Sequence, residues 1–457
     1  MIAMGGCIGT GLFYGSAEAI GLAGPSILLA YLIGGLVIFA VMRAVGEMSV
    51  HTPVAGAFTY HASVNWSRRA GFVSGWNYWF NYILVSMVEL AVVGTYLNYW
   101  LPDFPSWLTA AICAVLITAV NLVGVRSFGE FEFWFALVKV LAVAAMIVVG
   151  LVVVLAQIHT ADTPTPSFAN LVDPGVGGGF MPFGLLSWVG DAAGGAGAWM
   201  GLTMALVVVM FSFGGVELVA VTAGEAQDPS QTIPKAVNQI AWRIILFFIG
   251  ALAIIMSVVP WNDIDGSMSP FVRIFDQVGF KAAAAVLNFV CITAVLSVFN
   301  SGLYSNGRML QSLASERNAP RFLARVASNG TPVAGVLTSA VVTAVAVVVV
   351  FVWPAFAFNY LLSIATVAAV INWVMVMITQ MKFRSRLSSD QRAALTFKLP
   401  GYPIVNWLVI AFLLFVVVMM CFSPSYRIAV VVGPIWLAVL LVAYQIKQHR
   451  ERLGEKG

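Results

Sequence analysis

Long apolar runs alternate with short polar stretches along almost the whole chain. A membrane-crossing helix needs about 20 predominantly apolar residues, and the pattern predicts twelve such spans. The first begins at Met1 and ends before the Gly24-Pro25 turn. Ser26–Val45, Gly71–Trp100, Ser106–Leu122 and Phe128–Leu155 follow. Residues 156–198 form the longest loop, rich in Gly and Pro and without Lys or Arg. Beyond it lie Trp199–Ala223, Asn238–Val259, Ala282–Leu313, Val333–Val352 and Phe356–Met381, and then Ile404–Phe422 and Ala429–Ile446. A polar loop carrying His51, His61, Arg68 and Arg69 separates the second span from the third.

Two spans are interrupted. Gly5, Gly6, Gly9 and Gly11 crowd the opening run, MIAMGGCIGTGLF. Each glycine in a helix interior costs roughly 0.5–1 kcal/mol relative to alanine, so a half-helix, an unwound segment and a second half-helix are expected. Close packing through small residues is the alternative. The sixth span carries a second break, Phe211-Ser212-Phe213-Gly214-Gly215-Val216-Glu217. Broken helices at membrane depth are tolerated where the freed backbone lines a cavity. A pair of them in corresponding positions points to a transporter binding site. Five spans precede the long loop, and five is odd, so a second five-span copy would be inverted. The expected organisation is a core of residues 1–381, with repeats 1–155 and 199–381 joined by the outer loop 156–198. Residues 382–457 then carry the last two helices and a cytoplasmic tail.

Composition agrees with an all-α polytopic membrane protein. Of 457 residues, 61% are hydrophobic and 9% charged, where a soluble domain carries about 25% charged; mean hydropathy is +0.94. The net charge of +4 argues against nucleic-acid binding. It leaves Lys and Arg to report topology: nineteen of the 23 fall on the side of both termini, Arg273, Lys281 and Arg427 on the other, and Lys139 inside a span. The rule that positive charge stays inside then places both termini in the cytoplasm. Met1 leads into an apolar run without a basic flank, so no cleavable signal is expected. Cys7, Cys113, Cys291 and Cys421 sit in separate apolar runs and form no metal or disulfide spacing. No phosphate-binding loop, HExxH or CxxC motif occurs, so no enzyme, cofactor or metal is expected.

The chemistry is expected from backbone and a few intramembrane charges. A half-helix offers free N–H groups at its start and free carbonyls at its end, which suit the carboxylate and ammonium of an amino acid. The amides of Gly9, Thr10 and Gly11 would take the carboxylate, and carbonyls near Met4–Gly5 and Phe211–Phe213 the ammonium. Ile8 leads into the first run, and Ser212, Gly214 and Gly215 complete the second. Met87 and Phe213 are candidate apolar walls, and Asn300-Ser301-Gly302 is a small polar patch suited to a cavity. Lys139 lies deep in FWFALVKVLAVAAMIVVGL, where a charge is expensive and points to function; it is the first candidate to carry a proton. Glu89 and Glu217 are the next two, with a structural hydrogen-bonding role as the alternative.

The stretches Ile8–Ser26, Arg43–Phe58, Phe128–Val140, Met210–Val219, Thr222–Gln239 and Asn300–Leu310 resemble the amino acid permeases of the bacterial amino acid transporter family. That family belongs to the amino acid–polyamine–organocation superfamily, and the resemblance covers essentially the whole chain. It implies a LeuT-type 5+5 inverted repeat with discontinuous helices 1 and 6, two extra helices, and uptake of an amino acid with a proton across the bacterial cytoplasmic membrane. It puts the substrate motif on Gly9–Gly11 and Phe211–Gly215. It puts the buried span-five lysine on Lys139, where sodium-coupled relatives of the fold bind sodium. The near-absent N-terminal tail departs from the family pattern. Spans three, six and eight look like the aromatic permeases, whereas the first two spans and Lys382–Pro403 look like the proline-type branch. Since the former line the pocket, bulky neutral, aromatic substrates are expected. Proline- or histidine-type uptake, amino acid exchange, a channel and an amino-acid-sensing receptor are the alternatives.

Overall fold

In a bilayer a backbone N–H has no water to turn to, so each apolar run closes its hydrogen bonds internally as a helix. The computed structural model describes residues 9–54, 56–123, 125–159, 164–173, 178–190, 198–217, 228–264, 266 and 268–454. The first half is α1 (Thr10–Phe13), α2 (Gly15–Ala23), α3 (Ile27–His51), α4 (Ala57–Asn65), α5 (Arg68–Leu97), α6 (Ser106–Val123) and α7 (Val125–Leu155). After the long loop come α8 (Leu202–Ser212), α9 (Pro229–Arg243), a π-helical segment Ile244–Gly250, α10 (Ala251–Val258), α11 (Pro270–Gln277) and α12 (Lys281–Ser315). The rest is α13 (Val333–Thr343), α14 (Val345–Val352), α15 (Ala357–Arg386), α16 (Ser389–Ala394), α17 (Ile404–Met420) and α18 (Arg427–Gly454).

Nine helical stretches among the described residues are long and apolar enough to cross a membrane, and α8 and α17 are apolar but shorter. The first of the nine, Gly15–His51, is two arms parted at Gly24 (φ 59°) and Pro25. Counted so, the helices correspond to the twelve predicted spans. α5, α12 and α15 sit at the centre and are largely buried, whereas α6 and α18 turn most of their apolar side chains outward, as helices facing lipid do. Both breaks are visible from one side. Gly9 is extended (φ −141°, ψ −155°) and α1 starts after it. α8 stops at Ser212, and residues 213–217 form a turn. The other halves of both broken spans lie outside the described residues, as do Ile8, the Met4–Gly5 carbonyls and residues 222–227 of the Thr222–Gln239 stretch.

Three local features differ from the sequence pattern. The polar loop between spans two and three contains α4, which buries Ala57, Phe58, Thr59, His61 and Ala62. Burial lowers the pKa of His61 to about 4, so its imidazole is neutral at pH 7. The long outer loop holds a small antiparallel hairpin, β1 (Ser187–Val189) on β2 (Ala198–Met200), with Trp188 opposite Trp199. Strands of three residues leave no periodicity to read. Span seven passes through the π-helical segment, a wider coil that periodicity does not reveal either.

At the Lys/Arg-rich end, Glu47 of α3 is enclosed by donors. Arg384 of α15 grips it with two bonds, Nε to Oε1 at 2.5 Å and Nη2 to Oε2 at 2.6 Å. Gln380 Nε2 donates to Oε1 at 3.1 Å and the Leu399 N–H to Oε2 at 2.6 Å. Arg43, one turn before Glu47, donates to the Lys398 carbonyl at 2.5 Å and lies over the Phe397 ring at 3.9 Å. The segment between α16 and α17 is thereby fastened to spans two and ten. Removing one partner of a buried ion pair strands the other charge, at a cost of roughly 3–5 kcal/mol. Arg384→Ala is accordingly expected to lower the unfolding temperature of the purified protein markedly, while Arg386→Ala, at an exposed site, leaves it near the wild-type value. Equal shifts in a thermal-unfolding assay would refute this assignment.

Candidate functional site

α1 and α8 meet where each of their helices is broken. The first turn of a helix has N–H groups without intrahelical partners, and here Thr10, the first residue of α1, donates its hydroxyl to Glu89 Oε2 of α5. Opposite, the last turn of α8 unwinds: the Gly214 N–H reaches the Phe211 carbonyl at 2.9 Å, and Gly215 takes φ +97°. That is a left-handed value reserved in practice for glycine. The Gly215 N–H donates to Glu217 Oε2 at 3.2 Å. Tyr31 of α3 donates to Ser212 Oγ at 3.1 Å, tying the broken end to span two.

A cavity of about 20 Å³ lies between these elements, lined by Gly9, Thr10, Gly11, Phe211, Ser212, Gly214 and Gly215 together with Tyr82, Val85, Glu89, Val298 and Ser301. Such a volume holds about one water, so an amino acid is admitted only when the walls part. Gly11 has a role other than access. A Cβ there would stand 2.6 Å from Ser212 Cα, so the glycine lets span one and span six touch backbone to backbone.

The sequence-selected residues divide accordingly. Eight of them, Ser301 included, and Glu89 line this cavity. Met87 and Phe213 are buried elsewhere: Phe213 packs against Tyr31 and Phe248, with ring centroids 5.7 and 5.6 Å away. Asn300 accepts a hydrogen bond from Asn121 of α6 at 2.8 Å, and its neighbour Ser301 faces the cavity instead. Glu217 folds back on the span-six turn, away from the lining. Lys139 of α7 is fully buried, and its Nζ donates to Ser297 Oγ of α12 at 2.9 Å. Ser297 in turn donates to Glu132 Oε2 of α7, also at 2.9 Å. The three form a hydrogen-bonded row from lysine through hydroxyl to carboxylate, running two helical turns along α7 toward its N-terminal end.

The model of one protein family, amino acid permease, matches residues 1–456. The chain belongs to the amino acid permease family. This permease is 45% identical over 448 residues to the aromatic amino acid transport protein AroP of Escherichia coli, covering 98% of this chain and 94% of the relative. It is 42% identical over 452 residues to the uncharacterized amino acid permease YtnA of Bacillus subtilis, covering 99% and 94%. Among solved structures, a manganese transporter mutant of Eremococcus coleocola superposes with a TM-score of 0.59 at 15% identity, over 99% of this chain and 93% of that one. At that identity the likeness concerns the fold, which is the LeuT-type helical bundle with discontinuous helices 1 and 6. The permease is therefore a multi-pass membrane protein that handles amino acids.

Of the site residues that the sequence did not single out in this permease, Tyr82 and Val85 had a usable signal. They precede Glu89 by seven and four positions and so share its helix face. Met87 is two positions from Glu89, about 200° around the helix. Glu132 lacked such a signal, because a carboxylate near the start of a span ordinarily reaches water.

Proposed function

We propose that the permease imports bulky neutral, aromatic L-amino acids together with a proton across the bacterial cytoplasmic membrane. It works by alternating access of two inverted five-span repeats, 1–155 and 199–381, with spans eleven and twelve outside them and both termini in the cytoplasm. The pairing of Glu89 with the first turn of α1 carries this reading. That turn suits a substrate carboxylate, yet Glu89 already accepts the Thr10 hydroxyl there. Two carboxylates at one anion site repel each other, and a proton removes the conflict. Substrate and proton are thereby drawn to the same event. Lys139 lies in the same buried region and holds the row to Ser297 and Glu132, a route along which a proton leaves α7 toward the cytoplasm. The walls Tyr82, Val85, Val298 and Phe211 are aromatic or branched, which suits a ring-bearing side chain. The resemblance of spans three, six and eight to aromatic permeases and the 45% identity to the aromatic amino acid transport protein AroP support the same substrate class.

The test is competition and counterflow in proteoliposomes. Unlabelled phenylalanine, tyrosine or tryptophan should displace labelled phenylalanine at least tenfold more effectively than proline or histidine. Counterflow should be saturable and follow the trans substrate. Stronger displacement by proline would move the permease to the proline-type branch. Binding without flux would make it a sensor, and flux without saturation a channel.

A further inference from the structure

Above the small cavity a second, larger one of about 520 Å³ opens on the face opposite the Lys/Arg-rich loops. That is within the roughly 300–1,000 Å³ usual for small-ligand sites. Its lining comes from the outer ends of α2 and α5, from Ile264 and Gly266, and from the α14–α15 connection. Glu18 is the one charged side chain among the described lining residues. Glu18 Oε1 accepts a hydrogen bond from Tyr426, and Asn359 lines the same cavity. The side chain is only partly buried, so it still faces the cavity. Tyr14 and Phe358 line the same cavity, edge to face at 4.9 Å between centroids. Thr10, Tyr14 and Glu18 recur every four residues along span one. The charge, the ring and the inner site therefore follow one another down one helix face, with about 12 Å between the first and last.

We propose that this vestibule is a distinct binding site, in which Glu18 holds the ammonium of an arriving aromatic amino acid while its ring rests on Tyr14 and Phe358. An ammonium at this carboxylate makes a charge-assisted hydrogen bond, about twice as strong as a neutral one. Tyr14 and Phe358 line this cavity and not the inner one, and Tyr14 stands one turn from Thr10, so a ligand seated here presses on a side chain on the way to the inner site. The ammonium contact rests only on the permease handling amino acids. The ring contact also rests on the aromatic reading above.

The experiment uses externally added phenethylamine and propylamine as blockers of labelled phenylalanine uptake in right-side-out vesicles. Both carry the ammonium and neither has the carboxylate that the inner site requires. In the wild type, phenethylamine is expected to block at least fivefold more strongly than propylamine. Glu18→Gln should abolish the block and raise the KM for uptake about tenfold, with kcat within twofold, and Glu18→Asp should recover part of both. Tyr426→Phe keeps the carboxylate and removes only its structural partner, so its block and KM should stay within twofold of wild type. Undiminished block in Glu18→Gln overturns the site. So does an equal loss in Tyr426→Phe and Glu18→Gln, which would mean that the pair only braces span one. If phenethylamine and propylamine block equally and both depend on Glu18, the ring contact is overturned, and proline competition then decides whether the aromatic reading falls with it.

Discussion

Lys139→Ala should reduce amino acid accumulation driven by a pH gradient to simple equilibration. With one proton per substrate, a gradient of one pH unit supplies about 1.4 kcal/mol, enough for about tenfold accumulation. The variant is expected to reach about onefold while still exchanging substrate across the membrane. The reason lies in the row from Lys139 through Ser297 to Glu132. Without the amine, the hydroxyl has no proton to pass on. Lys139→Arg should fail as well, since a guanidinium does not release its proton in this range. Ser297→Ala should slow net uptake more than exchange, and Ser297→Thr, which keeps the hydroxyl, should restore it. The measurement is accumulation in sodium-free proteoliposomes under an imposed inward proton gradient. Full accumulation by Lys139→Ala would transfer the carrier role to Glu89, the remaining carboxylate on the cavity wall.

The second large effect belongs to the breaks. Gly11→Val is expected to weaken substrate binding by about 10–100-fold, the scale of an overpacking cost of roughly 1–3 kcal/mol. The added carbons would collide with the backbone of Ser212, 2.6 Å from the position of the new Cβ. α1 and α8 would separate, and the carboxylate and ammonium sites would lose their spacing. Gly215→Val should act comparably through its φ of +97°. Gly190→Ala, with nothing among the described residues within 4 Å of the new atom, is the matched control. Binding of labelled phenylalanine to monodisperse purified protein decides the matter: wild-type affinity in Gly11→Val would remove the interface from the binding mechanism.

These cases mark what could be read from residue order alone. Glycine clusters and lone charges in apolar runs stand out because each is costly in lipid, and they led to Gly9–Gly11, the span-six turn, Lys139 and Glu89. Side-chain direction is a different matter. Met87 and Tyr82 belong to the same apolar stretch, and only the phase relative to Glu89 separates a wall residue from a buried neighbour. Phe213 follows the broken end of α8, yet its ring turns toward Tyr31 and Phe248. The purpose of Gly11 was legible as close approach, but the partner in that approach, the Ser212 backbone, is a fact of tertiary structure. Glu132 illustrates the same limit, since its significance depends on Ser297 from a helix 165 positions away.

The enclosure of Glu47 bears on how permeases of this family can be recombined. Lys382–Pro403 lies outside the pocket-lining spans, which makes it look like an interchangeable module. Yet Arg384 and the Leu399 N–H close on Glu47, and the Lys398 carbonyl is held by Arg43. A chimera that takes this segment from one parent and residues 43–47 from another risks placing a carboxylate opposite no guanidinium. Crossover points should therefore be chosen so that the two stretches, more than 300 residues apart in sequence, are inherited together.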